Sequence, residues 1–419
     1  MKEIARPMYL EKLISRRENG MIKVITGLRR CGKSYLLFDL FFRYLIGQGV
    51  KKENILMIAL DDEDYADLLD RKKLWQYIKD RISDEGTYYI FIDEIQMVEG
   101  FEKILNGLNR RHNLDIYVTG SNSKFLSTDV LTEFRGRGDE VRVFPLSFAE
   151  YMTAFDGTAE DGWKEYYTYG GLPMILSMQN EEQKSAYLKH LFTYVYQRDI
   201  VERYHVQDTD KLEKITKVIA SSDGSLTNPS RIVNTFKSCG YGSVTNKTVS
   251  SYLNYLTESF LVEKAERYDV KGRKYISTPS KYYFTDAGLR NAYLNFRQQE
   301  ENHIMENVIY NELRIRGYNV DAGMVSHECA DIKGNRKKKQ LEVDFVCNKG
   351  SQRYYIQSAF AIPDEEKRAQ EKESLMQIRD MFKKIIIVRD NVKLWRDDDG
   401  IVTIGLKEFL LNPDSLERS

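Results

Sequence analysis

Residues 27–34 read Gly27-Leu28-Arg29-Arg30-Cys31-Gly32-Lys33-Ser34, the full G-x-x-x-x-G-K-[ST] pattern of a loop that wraps phosphate. Ile22-Lys23-Val24-Ile25-Thr26 stands before it and Tyr35-Leu36-Leu37-Phe38 after it. The spacing therefore predicts strand, loop and helix, the context this pattern needs. Gly27 and Gly32 permit conformations and close approach that a Cβ would obstruct. Successive backbone N–H groups and the positive end of the following helix can then face a polyphosphate. Lys33 is placed to reach the β- and γ-phosphates, and the Ser34 hydroxyl to ligate Mg²⁺. Leu28, Arg29, Arg30, Cys31 and Tyr35 complete the candidate nucleotide-binding stretch, with Arg29 and Arg30 as electrostatic support near phosphate.

Further on, Tyr88-Tyr89-Ile90-Phe91-Ile92-Asp93-Glu94 reads as an apolar strand that delivers two carboxylates at its C-terminal end, the end at which parallel sheets bind ligands. Asp93 is the expected Mg²⁺ holder, and Glu94 the group that polarises a water attacking the γ-phosphorus. Five β-type runs fall in the first third, at 22–26, 55–60, 88–92, 115–119 and 141–144. Most are separated by enough chain for a crossover helix, which implies an α/β fold with a parallel sheet covered on both faces. The fourth run ends in Val118-Thr119-Gly120-Ser121-Asn122-Ser123. Its small polar groups make Asn122 or Thr119 a candidate to sense the γ-phosphate or hold the attacking water.

With 419 residues the chain is long enough for two or three domains. Lys+Arg and Asp+Glu balance at 63 each, so any nucleic-acid surface must be local. A hydrophobic content of 42% supports packed globular domains, and no apolar stretch approaches the ~20 residues that span a bilayer. No membrane partner is expected. The opening Met-Lys-Glu-Ile-Ala-Arg-Pro lacks the apolar core of an export signal. Cys31, Cys239, Cys329 and Cys347 are scattered without C-x-x-C spacing, which speaks against a zinc site or a disulfide framework. The cytoplasm is the expected compartment, and Cys31 reads as a small loop residue, with an oxidation-sensitive thiol at a helix N-terminus as the alternative.

Several motifs occur in a fixed order: Asp93-Glu94-Ile95-Gln96, Thr119-Gly120-Ser121-Asn122-Ser123, Gly136-Arg137, Phe144-Pro145-Leu146-Ser147-Phe148-Ala149-Glu150-Tyr151 and Gly170-Gly171-Leu172-Pro173. Together they resemble the prokaryotic AAA-like and STAND-like P-loop ATPases, in particular the family that joins an N-terminal ATPase to a C-terminal region of unknown function. The resemblance covers essentially the whole chain. It implies an ASCE-type sheet of order 5-1-4-3-2, ATP as the nucleotide with Mg²⁺, and an assembly of several copies as one option. It also makes Arg137 a candidate arginine finger, acting on a neighbouring subunit's nucleotide or its own; Arg135 is the alternative. A guanidinium suits that role because it stabilises charge on the transferring phosphoryl group.

Between 211 and 290 the pattern becomes short helices followed by a hairpin, with thirteen basic and seven acidic side chains. Helix, helix, hairpin is the order of a winged helix-turn-helix. Lys271, Arg273 and Lys274 lie on the expected wing as candidate DNA phosphate contacts. A lid or a docking surface for a protein partner is the competing reading. The last 120 residues give helix, strands, helix, strand, a spacing that resembles the PD-(D/E)xK nuclease fold. There Glu306 and Asp344 match two acidic positions, but Gln357 stands where a second carboxylate belongs and Ala359 where the lysine belongs. The metal thus loses a charged ligand and the water its general-base neighbour. A nuclease-like, restriction-endonuclease-like α/β domain without cleavage is expected.

The expected organisation is an AAA-like ATPase domain with a helical extension at 1–205, a winged helix at 206–295 and a nuclease-like domain at 296–419. The expected function is a Mg²⁺-dependent ATPase or ATP switch coupled to the last two modules and acting on DNA. The alternatives are an ATP-dependent nuclease, or a nucleotide-stabilised scaffold that binds a protein and barely turns over.

Overall fold

The computed structural model describes residues 2–120, 134, 136–330 and 336–418. The chain divides into two compact units, Met1–Pro145 with Glu258–Phe260, and Leu146–Thr257 with Leu261–Ser419.

In the first unit the strands are β1 (Ile22–Thr26), β2 (Ile55–Ala59), β3 (Tyr88–Asp93), β4 (Leu114–Gly120) and β5 (Gly138–Arg142). Among the described residues they form one parallel sheet in the order β2-β3-β4-β1-β5. Read from the other edge, this is the anticipated 5-1-4-3-2. Both faces are covered, which is why the inner strands are nearly continuous apolar runs. On one face Val24, Ile58, Ile90, Ile92, Ile116 and Val118 pack against Leu74 and Ile78 of the helix Arg71–Arg81, and against Phe101, Ile104 and Leu105 of the helix Phe101–Leu108. Alternate residues point the other way. Phe91 and Tyr117 meet Phe41 there, with ring centroids 5.7 and 4.9 Å away. Phe41 belongs to the helical run that leaves the phosphate loop as Lys33–Tyr35, widens to π-helical turns over Leu36–Phe41 and ends as Phe42–Gly47.

β5 starts three residues before the apolar run that suggested it. Gly138-Asp139-Glu140 joins the sheet because β5 is an edge strand, paired to β1 alone from Ile22↔Gly138 to Thr26↔Arg142. Its polar side chains find partners across that edge: Asp139 takes Arg16 at 2.8 Å and Glu140 the Thr26 hydroxyl at 2.5 Å.

In the second unit the helices Thr209–Ser221, Pro229–Ser238 and Asn246–Glu258 precede a hairpin, β6 (Val262–Asp269) and β7 (Lys274–Phe284). Thr227 bridges antiparallel to Ser280. The strands β8 (Asn319–Ala330), β9 (Arg336–Lys349), β10 (Gln352–Ala359), β11 (Lys383–Val388), β12 (Trp395–Arg396) and β13 (Val402–Gly405) follow. All eight make one sheet, β12-β13-β11-β10-β9-β8-β6-β7. The hairpin is thus the edge of the C-terminal sheet: Arg267, Tyr268 and Asp269 pair parallel with Ala322, Gly323 and Met324. Val270, at the hairpin turn, is buried in a cluster with Val325, Val343 and Val346.

The Gly170-Gly171 pair also has a local cause. Asp286 caps the helix Ala287–Tyr293 by accepting from Leu289 N at 3.0 Å, and its other oxygen accepts from Gly171 N at 2.8 Å. A Cβ on Gly170, whose φ is +77°, would lie 2.2 Å from that carboxylate. The carboxylate is fully enclosed, and burial pushes its pKa up to about 6 despite the N–H groups that favour its charge.

Candidate nucleotide site and the C-terminal acidic cluster

The phosphate loop is fixed from outside as well as by its own turns. Gly27 has φ +143°, and a Cβ there would sit 2.0 Å from the Val143 carbonyl oxygen, so only glycine lets the loop lie against the chain leaving β5. Cys31, fully buried, directs its thiol at the same carbonyl, 3.5 Å away. Arg6 completes the clamp. Its buried guanidinium donates to Cys31 O at 2.7 Å, to Phe144 O at 2.9 Å and to Pro145 O at 3.3 Å. It ties the loop to the segment after β5 through charge-assisted bonds. Nothing local in the sequence marks Arg6 for this role, because its acceptors are backbone groups 25 to 139 residues away.

Inside the loop, Lys33 is 5% exposed and its ammonium donates to Gly27 O and Leu28 O, each at 3.1 Å. One residue on, the Ser34 hydroxyl donates to Asp93 at 2.6 Å. Asp93 ends β3, and its other oxygen accepts from the Thr119 hydroxyl on the neighbouring β4. Burial raises the Asp93 pKa, opposed by the hydrogen bonds from Ser34 and Thr119. The Thr119 oxygen in turn accepts from Glu94 N at 3.1 Å. Glu94 adopts φ +52°, the left-handed region that a side-chain-bearing residue seldom occupies. Gln96 donates its side-chain amide to the Glu94 carboxylate.

Lys33, Ser34, Asp93, Glu94 and Thr119 therefore meet at the C-terminal ends of β1, β3 and β4, as the sequence reading placed them. The donor set fits the expected groups. A hydroxyl and a carboxylate already in contact are oxygen ligands of the kind a hard Mg²⁺ takes, and a buried ammonium in a glycine-flanked turn suits a phosphate.

Arg137 is elsewhere. It is exposed, and its carbonyl accepts from Ile22 N at 2.8 Å, at the N-terminal edge of β1. The loop follows the opposite end of that five-residue strand, about 16 Å away at ordinary strand rise. Within its own chain Arg137 does not join Lys33, Ser34, Asp93, Glu94 and Thr119. Asn122 and Arg135 lie outside the described residues. Arg30 is exposed with φ +64°.

In the second unit, Glu306 on the helix Glu301–Ile315 and Asp344 on β9 do come together, around a residue the sequence reading did not single out. The Lys281 ammonium on β7 lies 2.8 Å from Glu306, 2.6 Å from Glu342 and 3.7 Å from Asp344. Burial would lower the Lys281 pKa, but the three carboxylates outweigh it and hold the amine protonated. Asp344, whose second oxygen accepts from Ser358 N at 2.8 Å, is pushed above the usual carboxylate range by burial and by Glu306. Gln357 turns to Ser374, whose hydroxyl is 3.5 Å away. The available signal for Lys281 was a lysine leading into the apolar strand end Tyr282-Tyr283-Phe284. Lys271, Arg273 and Lys274 are exposed at the hairpin turn, and the Lys271 ammonium donates to Ser326 O of β8 at 2.7 Å. No helix among the described residues is long and apolar enough to cross a membrane.

Comparison with known proteins agrees with this geometry. Residues 19–152 match the model of an AAA domain, and residues 160–300 that of a domain of unknown function. An uncharacterized protein of Haemophilus influenzae is 36% identical over 414 residues, covering 97% of this chain and 98% of that one. A second uncharacterized protein, from Methanocaldococcus jannaschii, is 28% identical over 93% of this chain and 86% of its own length. Among solved structures, the Walker-type ATPase of Pyrococcus abyssi superposes with a TM-score of 0.50 over 70% of this chain and 96% of that one, at 16% identity, so the two share a fold. The chain therefore belongs to the family of the Haemophilus influenzae protein and carries an AAA-type P-loop NTPase domain followed by a domain of unknown function.

Proposed function

We propose that the protein is a Mg²⁺-dependent ATPase whose nucleotide cycle drives its second unit, with DNA as the partner of that unit. The observation that carries the reading is the hydrogen-bonded chain Ser34–Asp93–Thr119–Glu94, one connected set linking the phosphate loop, the metal carboxylate and the water-activating carboxylate. Lys33 binds the β- and γ-phosphates, and Ser34 and Asp93 hold the metal. Magnesium, when bound, supplies neutralisation of phosphate charge. Glu94 takes the proton of the attacking water, and the Gln96 amide fixes the carboxylate that does so. Thr119 keeps Asp93 and Glu94 in register, a role related to the sensing function expected of this strand end.

The helices from Thr209 onward, the Thr227–Ser280 bridge and the hairpin support a winged-helix reading. The antiparallel β9–β10 pair beside the helix Glu301–Ile315 supports a nuclease-like one. Gln357 and Ala359 argue against cleavage. Phosphate release from ATP, measured with and without double-stranded DNA, tests the whole reading. Wild type should turn over, and Glu94→Gln should keep ATP affinity and lose roughly 10²–10⁴-fold in rate. Equal rates in the two proteins would reject the assignment of Glu94, and turnover indifferent to DNA would reject the DNA partner.

A further inference from the structure

The acidic cluster of the second unit is organised around an amino group. Glu306, Glu342 and Asp344 converge on Lys281, whose side chain is only 3% exposed. Tyr283, two residues along the same strand face, donates its hydroxyl to the same Glu306 oxygen at 2.7 Å. Asp223 lies alongside: a Cβ on the next residue, Gly224, would sit 3.1 Å from Glu306 Oε1. One Asp223 oxygen accepts from Phe284 N at 3.1 Å, and the other, buried, has no hydrogen-bond partner. Arg290 favours the charge of Asp223 and Glu342 is exposed on β9, but Asp344 and Glu306 are largely withdrawn from water and need a cation beside them.

The spacing says which cation it is built for. Carboxylate oxygens 2.6 and 2.8 Å from the nitrogen are at charge-assisted hydrogen-bond distance from an ammonium. Mg²⁺ would draw its ligands in to about 2.1 Å. Among the described residues no group of three acidic, histidine or cysteine side chains is arranged to hold a metal ion. From β10 there is no help, since Gln357 and Ala359 supply neither carboxylate nor ammonium. Lys281 arrives instead from β7, at the far edge of the sheet from β12.

We propose that the Lys281 ammonium is the resident cation of this cluster and occupies the place a divalent metal would take, so that the hairpin's own side chain keeps the C-terminal site closed to metal. The same contact fastens the base of the hairpin to the helix Glu301–Ile315 and to β9. The proposal is independent of the nucleotide-site reading, because none of its residues touches ATP in that reading.

The test uses the full chain without nucleotide, so that the phosphate loop has no ligand to share with a metal. Thermal unfolding is followed with EDTA and with excess Mn²⁺ for wild type, Lys281→Met, and Lys281→Met combined with Asp344→Asn. Wild type should unfold at the same temperature in both conditions. Lys281→Met should be destabilised in EDTA and regain about 5 °C or more with Mn²⁺, and adding Asp344→Asn should abolish the regain. A Lys281→Met protein that folds and is indifferent to Mn²⁺ overturns the proposal. Should that variant not fold, Mn²⁺ titration of wild type and of Asp344→Asn by calorimetry decides: no Asp344-dependent binding upholds the proposal, and binding to wild type lost in Asp344→Asn overturns it.

Discussion

At the scale of single residues, the candidate catalytic site holds its base under constraint. Glu94 combines a left-handed backbone conformation with a carboxylate gripped by Gln96 and a backbone N–H gripped by Thr119. Strain of this kind persists only where surrounding contacts over-determine it. Gln96→Ala removes one of those contacts and leaves every phosphate-binding group in place. Its expected effect is a fall in kcat of about 10- to 100-fold with ATP affinity unchanged, read by steady-state phosphate release beside equilibrium nucleotide binding. A matching loss of affinity would mean that Gln96 supports the loop rather than the base. Lys33, Ser34, Asp93 and Glu94 were legible in the sequence because each belongs to a pattern a few residues long that chemistry constrains tightly. Arg6 was not, since its acceptors are backbone carbonyls gathered from distant parts of the chain. Lys281 was not legible for a related reason: all three carboxylates that meet its ammonium come from beyond residue 300.

At the scale of elements, the order and polarity of the first sheet followed from apolar runs and crossover lengths, whereas the hairpin's place in the second sheet did not. The parallel pairing of β6 with β8 involves three residues on each strand, more than fifty positions apart, and no turn or periodicity announces it. The turn between Gly170 and Gly171 and the helix Ala287–Tyr293 are another such pair, held by one buried carboxylate. Because folding raises the Asp286 pKa from 3.8 to about 6, the folded state binds more protons than the unfolded state between those values. The contribution of this group to stability is therefore fully present below pH 4 and is lost as pH rises through about 6. Between pH 4.5 and pH 7.5 the loss is about 2 kcal/mol. Asp286→Asn cannot titrate and should flatten the pH dependence of urea unfolding by that amount over this interval. A variant with the wild-type slope would assign the titration to other groups.

At the scale of the whole chain, charge and topology decide which surfaces can act on a partner. The chain is neutral overall, so electrostatic recognition has to be local. The hairpin turn is one basic locality, although Lys271 spends its ammonium on Ser326 and leaves Arg273 and Lys274 as the outward charges. Arg137 is another. In a parallel sheet the loop after β1 and the chain entering β5 lie at opposite ends of paired strands, so the register Ile22↔Gly138 sets Arg137 a full strand length from the phosphate loop. A guanidinium side chain reaches far less than the ~16 Å of a five-residue strand, and the closely packed core between the two ends does not compress. If Arg137 stabilises a transferring phosphoryl group, that group is bound to another copy of the chain. Lys33→Ala and Arg137→Ala should each be inactive alone. Mixed in equal amounts, they should recover a substantial fraction of wild-type phosphate release, because Arg137→Ala keeps an intact loop and Lys33→Ala offers it an intact Arg137. The recovered rate should fall on dilution as copies separate. Two inactive proteins that stay inactive when mixed at concentrations where wild type is associated would remove Arg137 from catalysis, and an active Arg137→Ala protein would do so without the mixture.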